Sequence, residues 1–69
     1  MADSVYKVIE LVGASTDSWE AAARTAVDRA SKTLRDIRVA EVVELDIALK
    51  DGKFEAFRAK LKVSFKYED

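Results

Sequence analysis

At 69 residues the chain is read as a single domain, residues 1–69, with a small core, and the absence of Cys and His excludes disulfides, thiolate metal sites, the commonest zinc ligand and the usual general base. The balance of 49% hydrophobic and 36% charged residues at net charge −1 is that of a globular protein, and it argues against disorder and against a strong electrostatic footprint for nucleic acid. A domain this small usually needs a staple, which leaves oligomerisation or hard-cation binding by carboxylates.

The chain contains no Pro, and only Gly13 and Gly52 interrupt it. The opening "MADSVYKV" has no basic stretch leading into an apolar one, and no segment approaches the ~20 apolar residues of a membrane span, so no membrane partner and a cytoplasmic location are the default expectations. "SVYKVIELV" is β-branched and aromatic, and predicts a first strand over about Ser4 to Val12. Gly13 then serves a strand-to-helix turn that needs an unusual backbone angle; a single Gly falls far short of a phosphate-loop fingerprint.

From there the period changes. Trp19, Ala22, Ala23, Ala26, Val27, Ala30 and Leu34 form one helical stripe, predicting a helix over Ser18 to Asp36. Asp17 is the expected N-cap, with Glu20 at capping-box spacing, and Lys32 and Arg35 suit the negative end of the helix dipole. The alanines let the helix sit close to a sheet, and Trp19 is expected in the core or at a subunit contact.

"IRVAEVVELDIALK" and "KFEAFRAKLKVSFKYE" predict the second and third strands, joined by Asp51-Gly52, a strong signal for a two-residue type I′ turn. If Lys50 opposes Lys53 and the ladder runs unbroken, Leu45 faces Arg58 and Val43 faces Lys60. On the other side Asp46 faces Phe57 and Glu44 faces Ala59. This places Ala40, Val42, Phe57, Ala59, Leu61, Val63 and Phe65 on the face under the helix. A mixed face carrying Val39, Val43, Leu45, Ile47, Leu49 and Phe54 beside Glu41, Arg58, Lys60 and Lys62 is left bare. Such a patch predicts that the chain's principal partner is itself. The expected fold is α+β: β-α-β-β, a three-stranded antiparallel sheet of order 2-3-1 with one helix on one face.

The residues offer little to an enzyme. Ser15, Thr16 and Ser18 suit turn and cap positions, and no base stands beside them. Glu41, Glu44 and Asp46 form a row of carboxylates that symmetry would multiply around an axis, which suits calcium or magnesium; cross-strand pairing with Arg58, Lys60 and Lys62 is the alternative. The row Arg58, Lys60, Lys62 and Lys66 can meet phosphates or stand solvated and paired.

Taken together, "VYKVIELVGAST", "SWEAAARTAVDRASKTLRD", "RVAEV" and "DGKFEAFRAKLKVSFKYE" resemble the dodecin family over nearly the whole chain. The resemblance implies a β-α-β-β subunit, a hollow homododecamer built through trimers, and storage or quenching of flavins, with coenzyme A at the surface in some members and calcium in a subgroup. Flavin-binding members carry a stacking Trp in a D-W-F-E-V run and a ring-binding Gln in a Y-Q-V run. The matching positions here are Val39 and Arg58. Val has no aromatic face, and Arg cannot accept a hydrogen bond. The "IRVAEV" pattern looks more like the calcium subgroup. The expectation is therefore a non-enzymatic ligand or ion store, with calcium ahead of riboflavin, FMN or FAD. A flavin-binding dodecin and a structural or protein-interaction module are the alternatives.

Overall fold

The computed structural model describes residues 3–67. The elements run β1 (Tyr6–Ser15), α1 (Trp19–Ser31), β2 (Ile37–Lys50) and β3 (Lys53–Lys66). They form one antiparallel sheet of order β1-β3-β2, which is the expected 2-3-1 order seen from its other edge. Asp51 and Gly52 adopt φ of 53° and 76°, the positive pair a type I′ turn requires, and Lys50 faces Lys53.

Helix and sheet meet through small side chains. Ala22, Ala26 and Ala30 are the buried stripe of α1, and Ala22 and Ala26 pack with Ala59, Leu61 and Val63 of β3, with Ile9, Leu11, Val27 and Ile37 around them. Gly13 belongs to β1, opposite Ala59, and its φ is not positive. The expected turn role is corrected: Gly13 is required for space. A Cβ there would overlap the Ala22 carbonyl oxygen and approach the Ala26 Cβ to 3.0 Å.

The helix boundaries also shift. Ser18, not Asp17, is the N-cap: its Oγ accepts the Ala21 N–H at 3.0 Å, while Asp17 donates its own N–H to Ser15 Oγ. With the cap at Ser18, Glu20 falls at the second helical position and no capping box forms. The helix ends at Ser31 rather than Asp36, because Thr33 and Leu34 both donate to the Ala30 carbonyl and close the last turn. Asp36, at φ 55°, then turns the chain into β2.

The β1–β3 ladder is continuous, whereas β2–β3 is broken three times. Two breaks matter for function. An extra residue on β3 near Glu55 and one on β2 at Val43 move the central stretch by one place, so that Asp46 faces Arg58, Glu44 faces Lys60 and Leu45 faces Ala59. The unbroken register is therefore corrected between the bulges. Val42, Ala40 and Val39 keep the expected partners Leu61, Val63 and Ser64.

The molecule is long, with extents of 52 × 20 × 17 Å and a radius of gyration of 14.2 Å, against ~11 Å for a compact domain of this length. A 13-residue helix spans only ~20 Å, while 14-residue strands span ~46 Å, so the hairpin runs well past the helix.

Candidate functional site

The residues expected to carry chemistry, Lys66 apart, lie on the sheet face away from α1. β3 contributes Arg58, Lys60, Lys62 and Ser64, which alternate with the buried Ala59, Leu61 and Val63. β2 places Asp46, Glu44, Glu41 and Val39 opposite them in that order, and β1 places Ala14, Val12, Glu10 and Val8 on the other flank. Lys62 thus stands between Glu10 and Glu41. The unbroken ladder put Glu44 and Asp46 under the helix. The bulge at Val43 rotates both to the charged face, where cationic partners replace Ala59 and Phe57.

Asp46 and Arg58 form the best-defined contact on this face. Arg58 Nε donates to Asp46 Oδ1 at 2.8 Å and a terminal guanidinium nitrogen donates to Oδ2 at 2.9 Å, a fork matched to the carboxylate plane. The hydrogen bond from Arg58 is the main reason the Asp46 carboxyl is held below its ordinary range, and Asp46 in turn raises Arg58. Lys60 Nζ lies 3.5 Å from Glu44 Oε1. Val39, exposed to 58%, stands across from Ser64, whose Oγ donates to the Val39 carbonyl at 3.4 Å.

Val39 and Arg58 share this face but do not meet. Ser64, the partner of Val39, lies six positions along β3 from Arg58, which is ~20 Å along the strand. The carboxylates are similarly strung out, and among the described residues no group of three or more is placed to hold a metal ion. Calcium takes six to eight oxygen ligands. Among the described residues, one chain alone does not bring such a set of protein oxygens together.

Two features carried no signal in the sequence. One is Val43, whose role as an extra residue emerges only from strand pairing. The other is the reach of Trp19: its indole N–H donates to the Asp46 carbonyl at 3.0 Å, and its ring meets Phe57 edge-on at 4.9 Å. Lys66 stands apart from the other cations, at the rim of a hollow of about 300 Å³ that Lys7 and Arg35 also line.

Comparison with known proteins agrees with this architecture. The dodecin family model matches residues 5–68. Calcium dodecin of Mycobacterium tuberculosis is 52% identical over 63 residues, covering 91% of this chain and 89% of that protein. A crystal structure of that calcium dodecin, described as calcium chelating with a novel calcium-binding site, superposes with a TM-score of 0.83 at 53% identity, covering 94% of this chain and 93% of that one. The dodecin of Streptomyces coelicolor superposes with a TM-score of 0.89 at 38% identity, covering 100% and 99%.

Proposed function

The chain belongs to the dodecin family, and from that premise we propose that it is a non-enzymatic homododecamer that binds and stores a small ligand or ion, calcium or another divalent cation in preference to a flavin. The observation that carries this reading is the Asp46–Arg58 fork. At the position where flavin-binding relatives are expected to offer an amide, this chain offers a group that only donates and is already engaged by a carboxylate. Val39 supplies no stacking surface at the other expected position. The 52% identity to a relative named for calcium supports the same preference.

Self-assembly is part of the proposed function. Glu41, Glu44 and Asp46 are the proposed oxygen ligands, and they gather around an ion only when copies meet at an axis. Cation binding there would compete with Lys60 and Arg58 for Glu44 and Asp46, so it loosens pairs already formed in the single chain.

The test has two arms. Riboflavin or FMN titrated into the purified protein is expected to keep its fluorescence, and submicromolar quenching reverses the preference. Calcium added to chelator-treated protein is expected to raise the melting temperature progressively, because a ligand of the native state stabilises it by mass action. A response in neither arm leaves a structural or interaction role.

A further inference from the structure

Another hollow lies on the helix side of the sheet, away from the charged face. It runs between α1 and the edge strand β1 and has a volume of about 500 Å³, within the size range of small-molecule sites. Ile9 and Leu11 of β1, with Ala30 and Leu34 at the end of the helix, give it an aliphatic lining, and Arg29 and Lys32 are the charged residues on its border. Ala30 is buried and Ile9, Leu11 and Leu34 are half-buried, whereas both cations are exposed. The hollow is therefore apolar at depth and cationic at its mouth.

This chemistry selects an occupant. Among the described residues no carboxylate borders the hollow, and neither Arg29 nor Lys32 is in an ion pair. The two stand three positions apart on one side of the helix end, where like charges repel. The helix dipole favours cations in the last turn, but it does not relieve that mutual repulsion. An anion held between them does. No aromatic side chain lines the hollow, so it offers no platform for a nucleobase or a flavin ring. Its lining instead matches a flexible hydrocarbon chain.

We propose that this hollow is a binding site for a medium-chain fatty acid, with the tail along Ile9, Leu11 and Leu34 and the carboxylate accepting hydrogen bonds from Arg29 and Lys32. The site is separate from the ion site on the charged face and does not depend on it, because the sheet lies between the two.

Isothermal titration of the full chain tests this, with chelator present throughout so that no divalent cation takes part. Decanoate is expected to saturate its site, and affinity should rise about fourfold with each methylene added from hexanoate to decanoate. Uncharged decanol should bind wild type about tenfold more weakly than decanoate, and decanoate should bind Arg29→Gln about tenfold more weakly than wild type. Thr25→Phe brings a ring into the hollow from an exposed position on its border and should abolish binding. Lys53→Gln removes a cation at the hairpin turn, outside the hollow, and should bind as wild type does. Far-UV circular dichroism of each variant reports folding. Should a variant fail to fold, the chain-length series and the decanol comparison on wild type decide. Decanoate binding that is equal in wild type, Arg29→Gln and Thr25→Phe overturns the proposal, and so does affinity that is flat with chain length. A hollow already filled by another copy of the chain gives no decanoate binding at all, which overturns it equally.

Discussion

Asp46 lies directly across the β2–β3 pair from Arg58 and accepts both of its forked hydrogen bonds, at 2.8 and 2.9 Å. Through its main-chain carbonyl the same residue accepts the indole N–H of Trp19 at 3.0 Å. One position thereby ties the start of the helix to both strands of the hairpin. It does so only because an extra residue at Val43 turns its carboxylate onto the charged face.

The pair gives a pH signature. The hydrogen bond from Arg58 depresses the folded-state pKa of Asp46. The pair therefore contributes stability above the unfolded value of about 3.9, and that contribution is lost as the pH falls through the folded value. Both side chains are nearly half exposed, so solvent screens the effect and only a small change in melting temperature is expected. NMR titration should place the Asp46 midpoint below the ordinary carboxylate range, and Arg58→Gln should return it there. An unchanged midpoint in the variant contradicts the assignment.

Gly13→Ala should destabilise the fold by ~1–3 kcal/mol through overpacking, because the added methyl meets the Ala22 carbonyl, a backbone atom with little room to move. Thermal melting at fixed protomer concentration reads this loss. A variant as stable as wild type would mean that the helix can lift from β1 without cost.

Ser18→Ala removes the observed cap and should cost ~1 kcal/mol, whereas Asp17→Ala should stay within ~0.5 kcal/mol. Denaturant midpoints of the two variants compare them directly. The reverse order would restore the cap that the sequence pattern favours.

These two sites also show what was legible before the structure. Asp51-Gly52 announced the hairpin because few residues tolerate two consecutive positive φ angles, and the alanine stripe announced the helix face through its 3.6-residue period. The cap moved by one place because Asp17 and Ser18 have similar capping chemistry, and the Ser18 hydroxyl is the one that accepts the Ala21 N–H. The bulges left no trace, since an extra residue is a property of pairing between strands and not of either strand's composition. That single omission misplaced Asp46, Glu44, Leu45 and Ile47. It hid both the Asp46–Arg58 fork and the side of the sheet on which Leu45 and Ile47 lie.

The two positions that differ from flavin-binding relatives can be tested by reversion. Val39→Trp with Arg58→Gln supplies a stacking face and an amide, and releases Asp46 from its fork. If the two positions, ~20 Å apart in one chain, meet on one ligand between copies, the double variant is expected to gain flavin quenching over wild type at least tenfold above either single change. Equal quenching by wild type and the double variant would mean that neither position governs flavin binding.

Isothermal titration of calcium into the chelator-treated protein addresses the central claim most directly. Saturable binding is predicted, with less than one ion per chain if each site is shared between copies as proposed, and with weakened binding in Glu44→Gln. No heat of binding from calcium or magnesium, together with tight riboflavin binding under the same conditions, would contradict it.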